Sequence, residues 1–156
     1  MTDPAGDLVL VVEDSDEDVE AIARAIGRSH PDVRLEFLRS GAEVLPRLTA
    51  AGARRPWLVL LDLNMPGEGG LDVIRHVRGT GTFAELTLVV FTSSESEAEA
   101  DACYAAGADS YIYKPINFEL FQSVLSQTLN YWRSRSPAPK VAQIVVPPPG
   151  DSAAQV

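Results

Sequence analysis

The sequence predicts an α/β protein built in layers on a parallel sheet with right-handed crossovers. Three observations carry this. Strand-like and helix-like patterns alternate five times along the chain. Four of the strand-like runs are continuous and rich in Val, Leu and β-branched or aromatic residues, as strands covered on both faces are, and the fifth alternates, as a strand nearer an edge does. With 156 residues, 46% hydrophobic and 22% charged, the chain has the material for a single core.

The first run, Leu8 to Val12, leads into "DSDEDVEAIARAIGR". That segment places Val19, Ile22, Ala23 and Ile26 on one helical face and crowds acids into the first turn, where the helix dipole favours negative charge. The second run, Val33 to Leu38, sets Val33, Leu35 and Phe37 on one side and Arg34 and Glu36 on the other. Ser40-Gly41-Ala42-Glu43 has the form of a capping box, so a second helix begins there, and Pro46 should kink or shorten it. Trp57 to Leu61 is the third strand. Leu71, Ile74 and Val77 mark a third helix ending before Gly79. After the fourth strand, Leu86 to Phe91, Ser94-Glu95-Ser96-Glu97 opens a helix that runs through "AEADACYAA" to Gly107. Tyr111 to Tyr113 is the fifth strand, and the last helix runs from Asn117 to Arg133.

Residues 1–6 read as an N-terminal extension, 7–133 as the domain, and 134–156, "SRSPAPKVAQIVVPPPGDSAAQV", as a proline-rich flexible tail. Within the tail "VAQIVV" is apolar enough to dock, although an unstructured end is the favoured reading.

A net charge of −9 disfavours nucleic acid and anionic membranes as partners, since both require a basic surface. No apolar segment reaches the length of a membrane helix and no secretory leader is recognisable, so a cytoplasmic protein is expected. The single cysteine, Cys103, reads as a small buried filler. His30 and His76 read as solvated surface residues rather than phosphate carriers.

The chemistry lies at the strand ends. The first strand ends in Glu13-Asp14 and the third in Asp62; parallel strands point their carboxyl ends to one edge, where ligands of such sheets bind. Three convergent carboxylates repel one another and call for a cation; all-oxygen donors suit Mg²⁺ rather than zinc. The fourth strand brings Thr92 and the fifth Lys114. Singly, Asp14 could cap the first helix, Thr92 the fourth, and Lys114 could be solvated. Together they form what phosphoryl transfer to a carboxylate requires: acids to hold a metal, one to attack, and a hydroxyl and an ammonium for the arriving oxygens.

"VVEDSDED", "LLDLNMPGEGG", "VVFTSS" and "YIYKP" resemble, in order and separation, the signatures of the receiver domain of two-component response regulators. The resemblance covers residues 7 to 133. It implies a doubly wound, flavodoxin-like fold whose five-stranded parallel sheet has the order 2-1-3-4-5. It further implies Asp62 as phosphoacceptor, with Glu13, Asp14, Asp62 and the Asn64 backbone carbonyl holding Mg²⁺. Thr92 is then the switch hydroxyl, Lys114 the phosphoryl-binding lysine and Tyr111 the switch aromatic. Gly70 matches the glycine that follows the acceptor loop, and Lys114-Pro115 matches a junction often cis in the family. Glu13 stands where many relatives have Asp.

The expected function is that of a single-domain regulator phosphorylated by a sensor histidine kinase, signalling by protein contact and not acting as an enzyme beyond its own dephosphorylation. Residues 134–156 resemble no output domain, so the signal is expected to leave by protein contact. Phe118, Phe121, Leu125, Leu129 and Trp132 form an apolar stripe on the last helix, widened by Leu120, Val124 and Tyr131. The expectation is a homodimer through the face of helix four, strand five and helix five, with Phe118, Phe121, Leu125, Tyr131 and Trp132 in it. "VEDSDEDVEAI", "LDLNMP" and "NYW" resemble stand-alone receivers paired with bacterial phytochromes, which implies a light-regulated kinase as donor. Two alternatives stand beside this. One is a phosphorylation-independent adaptor; the other is a haloacid-dehalogenase-type phosphatase, disfavoured because that family has a second aspartate where this chain has Asn64.

Overall fold

A computed structural model describes residues 7–134. The N-terminal extension 1–6 and the tail with "VAQIVV" lie outside the described residues. The order is β1 (Leu8–Val12), α1 (Asp16–Ser29), β2 (Arg34–Leu38), a 3₁₀ turn (Gly41–Glu43), α2 (Val44–Thr49), β3 (Leu58–Leu61), α3 (Gly70–Gly79), β4 (Thr87–Thr92), α4 (Glu97–Ala106), β5 (Ser110–Tyr113) and α5 (Phe118–Ser134). All neighbouring strands pair in parallel, in the order β2-β1-β3-β4-β5.

Side chains alternate across a strand, so a continuous apolar run feeds two cores. Leu10, Val12, Val59, Leu61, Leu88 and Val90 pack under α2, α3 and α4. Val9, Val11, Leu58, Leu60, Val89 and Phe91 pack under α1 and α5. β2 has a neighbour on one side only, and its Val33, Leu35 and Phe37 side is the one laid on the core, as its alternation predicts. In α1 the buried stripe is Ile22, Ala25 and Ile26, with Val19 and Ala23 at its margin. Ser15 caps that helix by accepting from the Asp18 N–H.

Two expectations need correction, the Ser40 cap and the solvated His30. Ser40 does not cap a helix through its side chain: its hydroxyl bonds Glu43 Oε2 instead, and a 3₁₀ turn intervenes. Of the two outcomes expected of Pro46, the structure has the short helix: Pro46 falls in the first turn of the six-residue α2, where a missing N–H costs nothing. His30 is buried rather than solvated. Its Nε2 lies 2.8 Å from Asn130 Oδ1 and its Nδ1 2.8 Å from Ser29 Oγ, joining α1 to α5, while His76 is exposed as expected. The Lys114-Pro115 peptide is trans.

The stripe on α5 also divides. Phe121 and Leu125 are buried against the sheet with Val124 and Leu129, so these two are not surface residues and leave the candidate dimer face. Phe118, Tyr131 and Trp132 remain half-buried, and Trp132 Nε1 donates to Ser110 Oγ at 3.2 Å. Among the described residues, the large apolar side chains that do protrude are Ile116, 96% exposed, and Leu120, 59% exposed. Cys103 is buried, as read from the sequence.

Candidate functional site

The sheet ladder continues one residue past the strands and fixes the backbone of the site. Glu13 N–H donates to Leu38 O at 2.9 Å, Asp62 N–H to Val12 O at 3.1 Å, and Lys114 N–H to Thr92 O at 2.7 Å. Glu13, Asp62, Thr92 and Lys114 are thereby gathered at the carboxyl edge, all buried, with Asp14 the most exposed member.

Lys114 Nζ is the hub. It lies 2.8 Å from Glu13 Oε1, 2.8 Å from Asp18 Oδ2 and 3.5 Å from Asp62 Oδ2. Asp18 was not singled out in the sequence, where it served only to complement the α1 dipole. The available signal was positional: only three residues separate the end of β1 from the start of α1, so a first-turn carboxylate stands at the same edge.

Oxygen atoms of Glu13, Asp14 and Asp62 all lie within 4.8 Å of one another. One ammonium stands in a cluster of four carboxylates, counting Asp18, so negative charge is in excess. Burial, reinforced by the Asp62 charge and opposed by Lys114, pushes the Glu13 carboxyl up to about 7. Burial pulls Lys114 down, but its hydrogen bonds to Asp18 and Glu13 and the Asp62 charge outweigh it, leaving the ammonium above its ordinary value. A cluster of oxygen donors with uncompensated charge fits a hard divalent cation.

Glycine at position 70 has a steric reason. A Cβ there would lie 2.6 Å from the Asp62 carbonyl oxygen and 2.9 Å from Leu63 Cα. Gly41, which the sequence reading passed over, meets the same constraint one loop away, against the Glu68 carbonyl and Val73. Both let the segment between Asp62 and α3 pack down. Asn64 N–H approaches Asp62 Oδ1 at 3.4 Å, closing the turn.

On the far side, Thr92 Oγ1 accepts from Ser94 N–H at 3.3 Å. Tyr111 is fully buried in the core under α3 and α4, and its hydroxyl donates to Ser94 O at 3.0 Å. The Tyr111 side chain is therefore turned into the core, with its hydroxyl on the loop before α4. Burial, above all, raises the Tyr111 pKa, which keeps that hydroxyl a donor.

Among known proteins, a family model described as "Response regulator receiver domain" matches residues 9–126. The chain is 33% identical over 137 residues to the probable methanogenesis regulatory protein FilR2 of Methanothrix harundinacea, covering 85% of this chain and 88% of that protein. It is 28% identical over 129 residues to response regulator Rcp1 of Synechocystis, covering 80% and 88%. A crystal structure of the Mn²⁺-bound form of Rcp1 matches with a TM-score of 0.75 at 27% identity, covering 86% of this chain and 99% of that one. The phosphorylated cyanobacterial phytochrome response regulator RcpA matches with a TM-score of 0.77 at 27% identity and the same coverage.

Proposed function

The chain belongs to the response regulator receiver domain family, and from that premise we propose that it is a phosphoacceptor signalling protein in which Asp62 takes a phosphoryl group from a sensor histidine kinase. A carboxylate oxygen of Asp62 attacks phosphorus as the phosphorus–nitrogen bond of the donor phosphohistidine breaks. The electron pair leaves on the imidazole nitrogen, and an acyl phosphate remains on Asp62. The observation that carries this reading is Asp62 standing at the carboxyl edge within 3.5 Å of Lys114 and 4.8 Å of two further acids.

Glu13, Asp14, Asp62 and the Asn64 carbonyl would hold Mg²⁺, which when bound supplies charge neutralisation for an anionic donor meeting an anionic acceptor. Lys114 is placed to bind an oxygen of the arriving group, and Thr92 is the hydroxyl at the end of β4 that can turn toward it. The Ser94 carbonyl, tied to Tyr111, carries any movement of Thr92 into the start of α4.

A phytochrome-type kinase is the proposed donor, supported by the likeness to the cyanobacterial phytochrome response regulator RcpA. Signal exit is by protein contact, with a homodimer through α4, β5 and α5 as the proposed assembly; Phe118, Tyr131 and Trp132 are its half-exposed members. Cytoplasmic localisation is consistent with the absence of any helix among the described residues long and apolar enough to cross a membrane. Transfer from a panel of purified histidine kinases tests the reading: fast labelling by one phytochrome kinase, lost in Asp62→Asn, supports it. Labelling no faster than by unrelated kinases would remove the phytochrome link. Partner binding indifferent to Asp62→Asn would favour an adaptor.

A further inference from the structure

Between α3 and α4 lies an open groove of about 320 Å³ whose lining includes none of the three clustered carboxylates. Leu63, Leu71, Ala98, Ala102 and Cys103 form its apolar lining. Its polar margin includes Asp72 on α3 and Glu99 on α4. The volume lies at the low end of the range of ligand-sized clefts, about 300–1,000 Å³.

The charge on its α4 side is one-sided, whereas α3 carries Arg75, His76 and Arg78. From Gly79 to Tyr113 the sequence has no Lys, Arg or His, but has Glu85, Glu95, Glu97, Glu99, Asp101 and Asp109. Asp109 is paired with Arg78 at 2.9 Å, but Glu95, Glu97, Glu99 and Asp101 are exposed along α4 and its approach. On the α3 wall the nearby cation is Arg75, a loose 3.8 Å from Asp72. α4 itself buries only Ala100 and Cys103, so its alanine side faces the groove without a large side chain to fill it.

We propose that the α3–α4 groove is the docking site for a basic amphipathic helix of a partner protein, whose large apolar side chains enter the groove while Lys and Arg residues meet the carboxylates of α4. Apolar anchors supply the affinity and the acidic rim selects the sign of the partner. The groove is also wired to the switch. Leu63, Asn64, Gly69 and Gly70 in its wall belong to the segment after Asp62. Glu99 in its margin bonds the Ser94 hydroxyl, and the Ser94 carbonyl holds Tyr111. Occupancy and phosphorylation would then favour or oppose each other by the same factor; this coupling alone rests on the phosphoacceptor reading.

The test uses the full chain and a synthetic helical peptide of Leu and Lys, with a scrambled peptide of the same composition as control. Isotope-edited NMR should show shifts centred on Leu63, Gly69 to Asp72 and Ala98 to Cys103, with binding weakened as salt rises from about 50 to 300 mM. Ala98→Trp, which fills the groove from an exposed position and leaves every charge in place, should weaken binding at least tenfold. Glu97→Lys should weaken it several-fold without altering the fold. Equal binding of the scrambled peptide, unchanged affinity in Ala98→Trp, or shifts elsewhere would overturn the proposal. If binding obeys the prediction in both the apo protein and Asp62→Asn, the groove stands even where phosphorylation fails.

Discussion

Replacing Asp62 by Asn should make the metal-free protein more stable while abolishing phosphorylation. At an effective dielectric of about 20, two like charges at the cluster's outer separation of 4.8 Å repel by about 3.5 kcal/mol, and attraction to Lys114 at 3.5 Å returns about 5 kcal/mol. With both Glu13 and Asp14 ionised, the two repulsions exceed the attraction by about 2 kcal/mol. Glu13 is ionised only above its raised pKa of about 7, so the measurement belongs near pH 8 in EDTA. For a chain of this length that difference is a rise in Tm of about 5 °C. The Asn side chain keeps an oxygen for the Asn64 N–H, so the turn is retained. Saturating Mg²⁺ should stabilise the wild type more than the variant and close the gap, because only the wild type presents all three carboxylates. Circular-dichroism melts with and without Mg²⁺ decide it. A variant no more stable than wild type in EDTA, or equally responsive to Mg²⁺, would refute the charge-frustration argument.

Lys114→Met should cost about 3–5 kcal/mol in EDTA, because it strands Glu13 and Asp18 without their cation, and Mg²⁺ should recover part of the loss in urea titrations. Gly70→Ala should destabilise by about 1–3 kcal/mol and slow acetyl-phosphate labelling, since the new methyl strikes the Asp62 carbonyl; unchanged labelling kinetics would contradict that role. Between the ordinary carboxyl value of 4.5 and about 7, Glu13 binds more protons in the native than in the unfolded state. Unfolding free energy in EDTA should therefore fall as pH rises through that window, and Glu13→Gln should flatten the dependence. Asn130→Ala should cost about 1–2 kcal/mol by leaving one His30 ring nitrogen without its partner, read as a lower urea midpoint at constant slope.

The sheet was legible because continuous apolar runs have one favourable outcome, strands covered on both faces, and β2 announced its edge position by alternating. The site was legible because parallel strands place consecutive strand ends on one edge whatever the loops do, so Glu13, Asp14, Asp62, Thr92 and Lys114 needed no tertiary detail. What periodicity could not resolve was depth. Phe121 and Leu125 share their helical stripe with Phe118, and only the packing of α5 on β5 and β4 decides that the first two are core. His30 likewise looks like a turn residue in one dimension, because Asn130 lies a hundred positions away. Asp18 was seen as a dipole partner because the reach of Lys114 across the edge depends on side-chain directions. The groove beside α4 has no sequence signature beyond a helix too rich in alanine to fill its own interface.

The central claim is that Asp62, and no other residue, receives the phosphoryl group. Incubation with acetyl phosphate and Mg²⁺, borohydride reduction of the acyl phosphate, and peptide mass spectrometry should give homoserine at position 62 in the wild type and at no position in Asp62→Asn. Reduction product at another carboxylate, or none under conditions that label a control receiver, would contradict it.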